Sequence, residues 1–124
     1  MKIYELLKIR GVFLEIKQAQ MPLKISYQIA KFLHSTDDSS TFYNEKYQSI
    51  INQYSERDEN GELKLSEDGQ SIKIKQESFD ECVTALKELE EIDVEIPEIK
   101  IDPMGLEHAG LSIEKMYILM PVLA

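Results

Sequence analysis

Pro22 divides the first half of the chain, and the residues on either side of it restrict that half to a helical arrangement. A proline ring donates no amide hydrogen and clashes with the preceding turn, so a helix running into it stops. The same ring is pre-shaped for the first turn of a new helix, so a second helix is expected to start near Pro22. Upstream, Leu6, Ile9, Phe13 and Ile16 recur at spacings of three, four and three, one stripe of a helix over residues 3–18. Lys8, Arg10, Glu15 and Lys17 fall largely off that stripe. Downstream, Ile25, Ile29 and Phe32, with Leu33 beside them, give the second helix an apolar face. Gly11, inside the first pattern, costs a helix about 1 kcal/mol relative to alanine and marks either a close helix contact or a weak point.

Two readings compete for residues 34–41, His-Ser-Thr-Asp-Asp-Ser-Ser-Thr. These side chains prefer caps and turns to helix interiors, which makes the segment a loop with Ser40 or Thr41 capping a third helix. Against that, Leu33, Thr36, Ser40, Tyr43, Tyr47, Ile50 and Tyr54 keep alternating spacings of three and four straight through it. The heptad favours one long helix from about 22 to 55, weakened in its middle.

Beyond residue 55 the pattern changes. Asn60-Gly61 and Asp68-Gly69 are turn dipeptides, and Leu63, Leu65, Ile72 and Ile74 alternate with polar neighbours. This predicts two short strands paired through the Asp68-Gly69 turn. Residues 77–90 read as a helix with Phe79, Cys82, Val83, Leu86 and Leu89 on one face. Ile92, Val94 and Ile96 alternate again as a strand that Pro97 ends or confines to an edge, with Ile99 and Ile101 extending it. Ser112 caps a last short helix through Met116 and Leu119. The expected fold class is α+β and mostly helical: an antiparallel pair of long helices, a small antiparallel β-sheet and a packed third helix, in a single domain over residues 1–124.

Charge is uneven. Residues 1–33 carry six basic and two acidic side chains, whereas residues 56–98 carry fifteen acidic and five basic ones, and the whole chain has a formal charge of −9. An acidic surface repels phosphate backbones, so direct nucleic-acid binding is not expected. It suits a basic partner or mimicry of nucleic acid, and more simply it confers solubility. No apolar run is long enough for a transmembrane helix, no secretory pattern opens the chain, and the lone Cys82 cannot form an internal disulfide. A soluble protein of the cytoplasm, without membrane contact, is expected.

The sharpest chemical motif is Glu56-x-Asp58-x-Asn60-Gly61-x5-Glu67, close to the calcium loop of an EF-hand. Glu56 stands where a shorter aspartate belongs, Lys64 puts a cation at a ligand position, and no helix is expected to leave the loop. A polar turn is the competing reading. His34 and His108 lack a second histidine or cysteine at zinc-ligand spacing. Glu107 beside His108 could serve acid–base chemistry but is also an ordinary surface pair. Cys82 falls on an apolar stripe, as a buried inert thiol does. No phosphate-binding glycine loop or nucleophile motif occurs, so neither catalytic residues nor a cofactor or metal is expected. Tyr43, Tyr47, Ile50 and Tyr54, a stripe of large apolar bodies with polar tips, are the candidate interface residues. The same stripe could equally cover the protein's own core.

The order of Tyr4-Glu-Leu-Leu7, Met21-Pro-Leu-Lys-Ile-Ser-Tyr-Gln-Ile-Ala-Lys31, Tyr43-Asn-Glu-Lys-Tyr47, Tyr54-Ser-Glu-Arg-Asp-Glu-Asn-Gly-Glu62 and Phe79-Asp-Glu-Cys-Val-Thr-Ala-Leu-Lys-Glu-Leu89, followed by the acidic 92–101 segment, resembles a family of small acidic phage-encoded proteins of unknown function. The resemblance covers most of the chain and departs at Thr36 to Thr41. It implies a viral origin and supplies no catalytic residue. With the amphipathic helices, it leads to an expected phage or prophage accessory protein, acting by protein–protein interaction as an assembly factor and able to form homo-oligomers. The alternatives are an acidic inhibitor of a host defence or nucleic-acid-processing enzyme, and a calcium-binding module.

Overall fold

The computed structural model describes residues 1–65, 69 and 72–124. It contains helices α1 (Ile3–Ile16), α2 (Leu23–Ser35), α3 (Asp37–Tyr54), α4 (Phe79–Glu90) and α5 (Ile113–Leu119), with short 3-10 turns at Gln76–Ser78, Pro103–Leu106 and Met120–Val122. The chain divides into two compact units. The first comprises Met1–Ser40 and Asp93–Ala124, and the second comprises Thr41–Ile92. The boundary falls in the first turn of α3.

In the first unit, the α1 stripe turns inward: Leu6, Ile9, Phe13 and Ile16 are buried, and Ile25, Ile29 and Phe32 of α2 meet them. Phe13 and Phe32 pack edge to face, ring centroids 5.3 Å apart and planes at 84°, the geometry that aromatic quadrupoles favour. Arg10 reaches Leu33 and Thr36 further along α2, so the two helices run in opposite directions. Ile101, Leu106, Leu119 and Val122 complete this core from the far end of the sequence. Ser112 caps α5, its hydroxyl accepting from the Lys115 amide at 3.2 Å. Gly105 presses on this core for want of space: a Cβ there would stand 2.6 Å from the buried Ile25 side chain.

The long helix expected over 22–55 is broken at Thr36, whose backbone sits at φ −108°, ψ 5° between α2 and α3. The cause is long-range. Arg10, nearly buried on α1, donates to the Leu33 carbonyl at 2.7 Å and to Thr36 Oγ1 at 2.6 Å, and pairs with Asp37 at 2.9 Å. Thr36 Oγ1 in turn donates to the Phe32 carbonyl at 2.8 Å. A cation thus holds the electronegative end of α2 while Asp37 begins α3. The buried threonine serves this junction and no heptad seam.

The expected antiparallel β-sheet is absent: no strand forms among the described residues. Isolated antiparallel bridges join Ser55 to Ile74, Arg57 to Leu63 and Leu65 to Ile72, each segment changing partner before a ladder can grow. The predicted Asp68-Gly69 turn rests on Asp68, outside the described residues; Gly69 itself has φ +72°. Residues 92–101 are likewise not a strand. Val94, Ile96 and Ile99 lie partly buried against the first core, and the backbone is tied by single bridges, Lys2 to Asp93 and Ile101 to Leu123. Alternation here reports one-sided burial, which an extended segment achieves without a paired neighbour.

The second unit is smaller in core. Among the described residues, Ile51 and Ser55 from the α3 end and Cys82 and Leu89 from α4 are buried, and Phe79, expected on the apolar face, is exposed. Residues 41–92 carry thirteen acidic and six basic side chains, a net charge of −7, whereas the first unit carries ten and eight, a net of −2.

Candidate interaction surface

Helix α5 is apolar on two sides. Met116 and Leu119 face the first core. Ile113, Tyr117 and Met120, at i, i+4 and i+7, form a separate stripe and are 91%, 79% and 60% exposed. Scattered exposed apolar residues are ordinary, but a contiguous stripe of large ones is the mark of a surface that meets another. Beside it runs the outer face of α1. An open groove of about 520 Å³ is lined by Tyr4, Glu5 and Lys8 from α1 and by Tyr117, Met120 and Pro121. The Lys8 ammonium lies over the Tyr4 ring, 5.5 Å from its centroid. Lys115 pairs with Glu15, which fixes α5 along α1 in the opposite direction. Gly11 is exposed on this face, and apart from its chain neighbours and its own stretch of helix backbone no described atom lies within 4 Å of where its Cβ would be. Of the two readings of Gly11, a close helix contact or a weak point, no such contact is present among the described residues.

The tyrosine stripe of α3 lies in the second unit. Tyr43 and Tyr47 stack, centroids 6.0 Å apart at 23°, while Ile50 and Tyr54 are half-buried. Tyr54 lines an open groove of about 370 Å³ with Asp80, Glu81, Ala85 and Glu88 of α4. Burial, then the Glu90 carboxylate and Tyr47, hold the Tyr43 phenol above its ordinary range. The four residues thus divide between a partly exposed aromatic pair and a rim against α4. The α5 stripe was missed from sequence. Its signal was the spacing of Ile113, Tyr117 and Met120 opposite the Met116 and Leu119 face.

The loop resembling a calcium site is occupied by its own hydrogen bonds. Asp58 Oδ1 accepts from the amides of Asn60 at 2.8 Å and Glu62 at 3.0 Å, and Gly61 turns the chain at φ +79°. Arg57 donates to the Gly61 carbonyl at 3.2 Å, and Glu56 pairs with Lys73 at 3.4 Å. Glu67, the bidentate position, lies outside the described residues. No group of three metal-ligating side chains occurs among the described residues. His34 is exposed on α2, and His108 pairs with Glu107 at 3.4 Å with both side chains exposed.

Cys82 is buried, and burial alone pushes its thiol up. Ionising Cys82 or Tyr43 therefore costs more in the fold than in the unfolded chain. Stability is intact below their ordinary values of 9.0 and 10.0, and is lost as pH rises through these toward the folded values. Urea midpoints are expected to fall between about pH 8 and pH 11, and a disulfide reagent at about pH 8 to label Cys82 slowly until denaturant is added. Rapid labelling of the native chain would contradict the buried thiol.

Among the described residues no helix is long and apolar enough to cross a membrane. No protein-family model, curated protein or solved structure matches the chain.

Proposed function

We propose that this chain is a non-enzymatic accessory protein of a phage or prophage, acting in the host cytoplasm by binding other protein surfaces, as an assembly factor does. The observation that carries this reading is the Ile113, Tyr117 and Met120 stripe, three large side chains left mostly in water on a helix whose other face is anchored in the core. Interface hot spots draw on such aromatic and aliphatic anchors beside a groove, with a polar rim. Glu5, Lys8 and the Glu15–Lys115 pair supply that rim. The phage setting comes from the sequence resemblance.

The test is affinity purification of the tagged chain from infected cells, in parallel with an Ile113→Lys/Tyr117→Lys variant. Both positions are exposed, so the fold is expected to melt alike in the two. A partner held by the parent and lost by the variant supports the reading; equal recovery counts against this face. A second reading, an acidic inhibitor of a host defence or nucleic-acid-processing enzyme, draws on the charge of −7 over residues 41–92 and the carboxylate-lined groove at Tyr54. Such a partner is released by salt, because screening weakens exposed charge pairs. A partner retained at high salt but lost on altering α5 favours the first reading.

A further inference from the structure

We infer that the occupant of the α1/α5 face is a second copy of this chain, related by a two-fold axis, its α1 crossing the first α1 antiparallel at Gly11. This rests on the reading that the protein acts through this face.

Gly11 is the first reason. It sits inside a helix of 14 residues, exposed, with no described atom near its missing Cβ. Nothing among the described residues requires glycine there, and the helix would be better served by almost any other residue. A bare Cα on an exposed helix face lets another backbone come close. Along α1, Tyr4, Lys8, Gly11 and Leu14 are all exposed and share one face, with Gly11 inside the row.

Charge complementarity is the second. An isologous interface must complement itself. In an antiparallel crossing centred just past Gly11, between it and Val12, positions equally far before and after that centre come together. Lys8 of one copy then lies opposite Glu15 of the other, and the two-fold axis makes the pairing twice. Glu15 already holds Lys115 of its own chain, so each junction becomes a three-membered network. The first unit's charge of −2, against −7 for the second, makes this the less self-repelling of the two.

Area sets the strength. Buried aromatic side chains remove about 150–250 Å² each, so the exposed parts of Tyr4, Leu14, Ile113, Tyr117 and Met120 offer roughly 500 Å² per copy. A standard stable interface buries about 800 Å² per partner. The pair falls short of that and is therefore a weak, reversible one.

Sedimentation equilibrium of the full chain from about 1 μM to 1 mM is expected to show a monomer–dimer equilibrium. Gly11→Gln should leave the thermal midpoint unchanged or raise it, while weakening the dimer by at least about tenfold; Tyr117→Lys should weaken it similarly. Lys8→Glu should weaken it, and Lys8→Glu combined with Glu15→Lys should restore it to within about threefold of the parent. A parent chain monomeric throughout overturns the self-pairing. So does a dimer that Gly11→Gln leaves as tight as before, because the crossing is then elsewhere. A monomeric parent that still captures a Tyr117-dependent partner overturns only the self-pairing and leaves the broader proposal standing.

Discussion

Phe32→Ala is expected to remove about 4 kcal/mol of stability. Phe32 is fully buried and stands edge to face against the equally buried Phe13, in the contact that joins α1 to α2. Truncation removes the transfer energy of the ring, leaves a cavity among aliphatic neighbours that are themselves fixed, and forfeits the aromatic pairing. Phe32→Leu keeps most of the volume and should cost roughly half as much or less. Urea unfolding followed by circular dichroism measures both. A loss below about 1 kcal/mol for Phe32→Ala would mean that the two helices are not held together at this contact.

Arg10→Met comes next, at about 2–3 kcal/mol. Methionine keeps the apolar length of the side chain and deletes the guanidinium. That strips the guanidinium donor from the Thr36 hydroxyl and from the Leu33 carbonyl, now joined to Arg10 at 2.6 and 2.7 Å, and leaves the carbonyl only the longer contacts from Thr36 in a nearly dry place. The ion pair with Asp37 contributes little, because the Asp37 side chain is 59% exposed and water screens it. Asp37→Asn should therefore cost under about 1 kcal/mol. The informative result is the contrast between the two variants. Equal and small losses would show that the end of α2 is satisfied without Arg10. Equal and large losses would place the energy in the ion pair. The junction is also where helix content should respond: without the cation, the break at Thr36 loses its long-range tie, and the continuous helix that the heptad spacing allows becomes more favourable.

That junction marks the limit of what the chain reveals by itself. Helices α1, α2 and α5 were legible because periodicity and caps are local: the stripe from Leu6 to Ile16, Pro22 before α2, and Ser112 before α5. The break at Thr36 was not, because its cause lies 26 residues upstream in Arg10, a residue that reads as an ordinary surface cation off the apolar stripe. The sheet was misread for a different reason. Alternation of Val94, Ile96 and Ile99 records which side chains turn inward, and the core rather than a neighbouring strand receives them. The proposed interaction face was hidden among core-like residues. Ile113, Tyr117 and Met120 look like any helical apolar set until Met116, Ile118 and Leu119 are seen to fill the inward side without them. The stripe Tyr43, Tyr47, Ile50 and Tyr54 was legible as a helical row, but its partial cover by α4 depends on contacts far along the chain.

The first unit is discontinuous: the chain leaves it after Ser40 and re-enters at Asp93. Ile101, Leu119 and Val122, which seal the core begun by α1 and α2, thus emerge from a ribosome long after those helices. Until they arrive, the apolar sides of α1 and α2 have only each other and any chaperone nearby. Bringing the two parts together closes a loop spanning Thr41–Ile92, an entropic cost of about 3–4 kcal/mol that falls on the assembly of this unit. Residues lost from the Asp93–Ala124 part of this unit are therefore expected to destabilise helices α1 and α2.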